Sequence, residues 1–190
     1  MNPKELKGSP PKGSFIAVDG AGSVADLSHT VFPVLKDVGG GKLELIGTGF
    51  FIAESGIFLT AKHVLLDVMD GDGKQTHPIF LIQFLGGQYV FRGIARCTSH
   101  HVADIAVGIP VQMTNNANGM PLKNKLLTLT AAGQCVGEPV VTYAYPKSVF
   151  KYDKVQELHF HPDYFNGVIH EFFPNGRDSV MMPGACMQTS

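Results

Sequence analysis

No stretch of the 190 residues is apolar for long enough to span a membrane as a helix, and neither the 15 basic nor the 16 acidic residues gather into a long run. A membrane helix needs about 20 consecutive apolar residues, so the first absence argues against a membrane protein of that kind. The even charge balance, a formal net charge of −1, leaves no electrostatic footprint for a nucleic acid or an anionic membrane, and neither is expected as a partner. Cysteine is scarce: Cys97, Cys135 and Cys186 are widely spaced and odd in number. That pattern fits reduced thiols in a cytosol better than a disulfide framework or a zinc site. The opening "MNPKELKGSPPKGS" holds lysines but no apolar run of signal-peptide length. A cytoplasmic location is expected, and nothing in the pattern demands a cofactor.

Helical periodicity is almost missing as well, and what replaces it is a series of short β-type runs. With 44% apolar and 16% charged residues, the chain is long enough for one large domain or two small barrels with a real core. Residues 1–27, rich in Gly, Ser and Pro, read as a loose arm. Residues 28–111 then carry "TVFPVLK", "KLELIGTGFFIA", "GIFLTA", "HPIFLIQFL", "QYVFRGIARC" and "ADIAVGIPV", runs of β-branched and aromatic residues bounded by Gly, Pro, Asp or Asn. Six such strands suffice to close a small barrel. The polar stretch 112–125, "QMTNNANGMPLKNK", has the composition of an exposed connector. Residues 126–190 resume the β pattern in "LLTLTAA", "EPVVTYAYP", "KVQELHFHP", "FNGVIHEFF" and "SVMMPGACMQT". The expected architecture is therefore all-β, two barrel-like halves with one helical turn starting at His63. No internal repeat is visible.

Two halves of this kind create a cleft, and groups on loops at its rim meet there despite their distance in sequence. His63 follows the strand "IFLTA" and precedes "VLLDV"; Asp104 is a carboxylate opening the apolar strand of "HHVADIAVGIP". A carboxylate beside an imidazole fixes its tautomer and stabilises the imidazolium formed when the ring takes a proton from a nucleophile. Taken singly, such residues are ordinarily caps or turn residues.

In the order "GTGFFI", "LTAKHV", "DIAV", "GEPVVTYAYP" and "MQTS", the chain from about residue 45 onward resembles the trypsin-like (chymotrypsin-fold) serine proteases. The likeness is to bacterial members such as the high-temperature-requirement proteases. The resemblance implies two six-stranded β-barrels with the active site between them and the second barrel incomplete here. It also implies His63 as general base, Asp104 as the residue that orients it, and a polypeptide substrate. The family's nucleophile motif G-x-S-G-G, whose amides also form the oxyanion hole, is nowhere in the 190 residues. In the relatives that motif follows a strand like Gln188-Thr189-Ser190 after one short loop, which places the nucleophile of this chain beyond residue 190, in a truncated or split form inert by itself.

Two substitutes for that serine exist within the sequence. Ser190 lies four residues after Cys186, the C-x-x-x-S spacing of animal trypsins, but Gln188 and Thr189 stand where those enzymes have the glycine and aspartate of the oxyanion loop. Cys186 in "PGACM" is similar to the G-x-C of viral chymotrypsin-like cysteine proteases, but Met187 replaces the glycine needed next. Both also suit a plain inward-facing strand in which Cys186 acts as a small hydrophobe. A reading from another class is a non-catalytic protease-like module. A second barrel without its last strands exposes a sheet edge that a peptide, a second copy or a complementing C-terminal fragment can extend.

Other features reduce to structure. "DVMDGDGK" imitates a calcium loop, but counting from Asp70 the sixth position is Gln75 rather than Gly and the twelfth is Leu81 rather than Glu, so it reads as a turn. His159 and His161 on one face of a strand, with Asp163 beyond, have a spacing that suits zinc, but a third and fourth ligand are not evident and no metal is expected. Gly47 and Gly49 precede no helix start and are expected to permit close packing at a barrel corner. Arg177 and Asp178 suit a surface ion pair of little energetic value. His100 and His101 are expected in an exposed loop near the cleft with their role open, and no I-V-G-G activation site occurs.

Overall fold

The structure is a computed structural model. It describes residues 23–189 apart from 71, 73, 86–87, 115–117, 128, 130–132, 134, 146–148, 153–155, 160–161 and 178–185. The first six strands are β1 (Val31–Gly39), β2 (Lys42–Phe51), β3 (Phe58–Thr60), β4 (Ile79–Leu85), β5 (Gln88–Ser99) and β6 (Ala106–Pro110), and a short helix α1 (Lys62–Leu66) follows β3. Each strand falls within or across one of the six runs expected from the sequence. They close into a barrel in the order β1-β2-β3-β6-β5-β4, antiparallel throughout, with Val34 opposite Leu81 completing the ring between β1 and β4. The register slips between Val34 and Leu35, where Ile46 is the unpaired residue of β2. A bulge of this kind bends a strand and lets a sheet curl shut.

The barrel fills with aromatic and branched side chains. Phe32, Val34, Phe51, Phe58, Val64 and Leu81 form one buried cluster. Phe32 lies 4.6 Å from Phe51 and meets Phe58 edge-on at 5.4 Å between ring centroids, separations that favour aromatic pairs. Leu65, Val68, Ile79 and Ala106 make a second cluster beneath α1. At the barrel's other end Arg92, 2% exposed, is held by side chains that the apolar look of "FLIQFL" and "YVFRGI" hides. Its guanidinium donates to Gln83 Oε1 (2.9 Å), Asn124 Oδ1 (2.7 Å) and the Val111 carbonyl (3.2 Å), and it stands over the Phe51 ring at 5.7 Å. The Asn124 amide and Nδ2 both donate to the Glu54 carbonyl at 3.0 Å. One residue of the polar stretch 112–125 thereby plugs the barrel.

Later strands are β7 (Pro139–Ala144), β8 (Val149–Tyr152), β9 (Gln156–His159), β10 (Asp163–Phe173) and β11 (Cys186–Thr189). They form an open sheet β11-β10-β7 and a separate pair β8-β9. Among the described residues this half forms a partial second sheet rather than a closed barrel. The strand expected at 126–132 is not formed at its described residues 126, 127 and 129. The Leu127 amide instead donates to the Phe51 carbonyl of the first barrel at 2.9 Å, which draws this segment onto β2. β8 had no counterpart in the sequence reading. Tyr145, buried just past β7, ties the halves together: its hydroxyl donates to the Val31 carbonyl at 2.8 Å, and burial pushes that hydroxyl's pKa well above the ordinary tyrosine value. No helix among the described residues is long and apolar enough to cross a membrane.

Candidate active site

The site begins with barrel register. Ala106, first residue of β6, pairs with Thr60 at the end of β3 on one side and with Ser99 at the end of β5 on the other. Chain leaving β3 and chain entering β6 therefore emerge side by side at one rim. His63 lies three residues beyond Thr60 and Asp104 two residues before Ala106, so register alone brings them into the same neighbourhood.

Local packing then sets the distance. Ala61 is extended (φ −73°, ψ 146°) and stands at the cap of α1, which starts at Lys62, one residue earlier than the helical turn expected at His63. Val64 and Leu65, both buried, enter the two clusters of the barrel and pin the helix. Gly47 on β2 faces Val64 so closely that a Cβ there would collide with the valine, and a Cβ on Gly49 would lie 2.7 Å from the Phe32 ring. Both glycines serve close packing, as their sequence context indicated, and Gly47 makes the seat for the helix. With Val64 held inward, His63 turns out to solvent.

Asp104 reaches His63 twice. The His63 amide donates to Oδ1 at 2.9 Å, and the ring Nδ1 meets Oδ2 at 2.7 Å. Burial alone would raise the Asp104 carboxyl. The bonds from the His63 amide and ring, the His63 charge and a bond from the Lys62 amide outweigh it and hold the carboxyl below its ordinary range. A carboxylate on Nδ1 leaves Nε2 as the free basic nitrogen, directed to solvent by a side chain 71% exposed beside an Asp104 that is 52% exposed. Chemically the pair is an oriented base, able to take a proton at Nε2 from a group placed before it. Among the described residues Asp104 is the His63 ring's hydrogen-bond partner.

The other candidates do not join this pair. Cys186 lies in β11 opposite Phe173, half-buried, and Ser190 lies outside the described residues. All three cysteines are free, and burial raises the Cys97 thiol. The Asp70 segment is a turn: Oδ1 accepts from the Asp72 and Lys74 amides at 3.1 and 2.9 Å while Met69 bridges Gln75. His161 and Asp178 also lie outside the described residues, which leaves the zinc spacing and the Arg177 pair without a description. A crevice of about 570 Å³ does open between the halves, with Val31, Phe50, Val141, Tyr143 and Tyr164 among its walls. It is apolar and excludes both His63 and Asp104, which occupy the open rim instead. Two neighbours escaped assignment in the sequence: Lys62 Nζ donates to the His101 carbonyl at 3.2 Å, and His100 bonds the backbone of the loop that carries Asp104. Side-chain bonds to backbone within a polar loop leave no periodic trace to read.

Comparison with known proteins finds no family model that matches and no match among curated proteins. Solved structures do match. The MamO protease domain from Magnetospirillum magneticum, in its apo form, superposes with a TM-score of 0.52 at 11% identity, covering 85% of this chain and 69% of that one. Deg5 superposes with a TM-score of 0.52 at 16% identity, covering 86% and 68%. At these identities the likeness is one of fold.

Proposed function

We propose that this chain, whose fold is that of trypsin-like protease domains, is the base-bearing part of a serine endopeptidase. In this reading His63 Nε2 takes the proton of a serine as it attacks the scissile carbonyl and returns it to the leaving amine, while Asp104 holds the ring. The reaction moves protons and an acyl group and takes no cofactor. The observation that carries the reading is the doubled contact of His63 with Asp104, 2.9 Å at the amide and 2.7 Å at Nδ1. Residues 28–111 would form the N-terminal barrel, 112–125 the connector and 126–190 part of the C-terminal barrel. The serine would come from residues outside these 190, acting on a polypeptide in the cytoplasm; Ser190 and Cys186 are the substitutes to be eliminated.

A fluorophosphonate probe, which labels only an activated serine, tests this. The expectation is no labelling of the 190 residues, strong labelling once the downstream reading frame supplies G-x-S-G-G, and loss of that labelling in His63→Ala. Since loss of the nucleophile costs about a millionfold in one measured protease, the contrast should be plain. Labelling that survives His63→Ala, or a downstream sequence without the motif, would sink the reading. The exposed apolar residues of the open sheet, Phe165, Phe172 and Met187, favour a second one, in which a non-catalytic module binds a peptide or a complementing strand along β7 or β11.

A further inference from the structure

We propose that His100 is a positioning residue for Asp104, and that its uncharged ring is the acceptor around which the Asp104 loop is built; this rests on the His63–Asp104 reading above. The loop between β5 and β6 has six residues, 100–105, in which to reverse the chain and aim a carboxylate at α1. Its ends close through the His100 amide, which donates to the Ile105 carbonyl at 2.8 Å. Inside the reversal, the amides of Val102 and Ala103 both point at the Nδ1 of His100, at 3.2 and 2.8 Å. Asp104 is the next residue. The peptide that sets where its carboxylate starts is thus fixed by a side chain four positions earlier.

Two N–H groups converging on one ring nitrogen require a lone pair there, so the proton of the neutral ring sits on Nε2. Adding a second proton removes the acceptor and sets an N–H against two others. Protonation of His100 therefore releases the amides of Val102 and Ala103 and, with them, the placement of Asp104. This makes the loop responsive to a proton that never touches the reacting atoms. The titratable groups about it are His101, whose ring centroid lies 4.5 Å away, Lys62 of α1, bonded to the His101 carbonyl, and the His63–Asp104 pair itself. The asparagine side chain carries Oδ1 where histidine carries Nδ1, accepts the same two bonds and does not titrate. It is the substitution that separates the acceptor role from the ring.

The test uses the full chain labelled with ¹⁵N-histidine, with the proton positions on the His63 and His100 rings read from long-range ¹H–¹⁵N spectra and the Val102 and Ala103 amides followed against pH. In the unaltered chain neutral His63 should carry its proton on Nδ1 and neutral His100 on Nε2. His100→Ala should return His63 to the tautomer mixture of a free imidazole, and His100→Asn should keep it on Nδ1. On acidification the Val102 and Ala103 amides should shift together with the His100 ring in the unaltered chain and stay in place in His100→Asn. His63 unchanged in His100→Ala, or amides equally responsive in His100→Asn, would overturn the proposal. If His100→Ala fails to fold, the pH comparison between the unaltered chain and His100→Asn still decides. Asp104→Ala separates the two readings. If it leaves the His63 tautomer untouched, the pair itself fails; if it abolishes the Nδ1 preference while His100→Ala does not, only the role of His100 falls.

Discussion

The two halves of the chain satisfy their strands by different means. From Val31 to Pro110 six strands close on themselves, every ladder finds a neighbour, and Phe51 and Phe58 are fully buried. From Pro139 to Thr189 the described strands form an open sheet and a separate pair. Ile169 is buried, but Phe165 is 45% and Met187 47% exposed. A closed barrel has no edge to offer, whereas an open sheet has two. The difference bears directly on the site. Each contact that fixes His63 against Asp104, from the Thr60–Ala106 register to the seat of Val64 on Gly47, belongs to the closed half. The pairing of His63 with Asp104 is therefore a property of one barrel.

Substitutions can break this contrast, beginning with the barrel. Phe58→Ala removes a fully buried ring that packs on Phe32 and leaves a cavity against Gly108. It should cost about 3–5 kcal/mol, read as a fall in the urea midpoint, and should release His63 from Asp104 as the barrel loosens. A variant that melts normally would show that the barrel is not the stabilising half. The tie between halves is weaker. Tyr145→Phe deletes the hydroxyl bonded to the Val31 carbonyl and should cost about 1–2 kcal/mol, because it leaves a buried acceptor unpaired. Hydrogen exchange should then speed up in β7 and β10 while β3 and β6 keep their protection. Equal acceleration in both halves would contradict the independence argued here.

The same contrast governs what the sequence disclosed. The six strands of the first barrel were legible because each is a short run of branched and aromatic residues, set off from its neighbours by polar or turn-forming residues such as Asp37, Gly41 and Gly86. His63 and Asp104 were legible together, through the succession of "LTAKHV" and "DIAV", although either residue alone is uninformative. The run from Leu126 misled for a tertiary reason: the Leu127 amide bonds the Phe51 carbonyl at the end of β2 rather than a strand partner of its own. Arg92 was hidden because its partners, Gln83 and Asn124, lie 9 and 32 residues away and only the fold assembles them. The His100 loop was hidden for the opposite reason, since its bonds join one side chain to amides two and three residues on and leave no periodic pattern in the sequence.

On the open sheet the expected effect is small. Phe165→Ser exchanges a half-exposed ring for a polar group at a position with little to lose, and stability should change by no more than about 0.5 kcal/mol. If the exposed face draws copies together, the variant should sediment closer to a monomer at high concentration. A loss of several kcal/mol would mean that Phe165 is buried in the working protein, and the contrast between halves would need redrawing.

The smallest effect sits at the site and has a defined sign. Asp104 carries a carboxyl lowered below its ordinary 3.8 by its bonds to His63, so it takes up protons more readily unfolded than folded. Its contribution to stability is complete above that unfolded value and is lost as pH falls through the lower folded one. Because the carboxylate is half exposed, solvent screens the pair and the contribution should amount to only a few tenths of a kcal/mol. Asp104→Asn cannot titrate, so the melting temperature of the unaltered chain should fall slightly further than the variant's between about pH 5 and pH 3. An equal decline of the two between those values would show that the bonds from His63 to the Asp104 carboxylate add nothing to stability, and would leave the pair a matter of ring orientation alone.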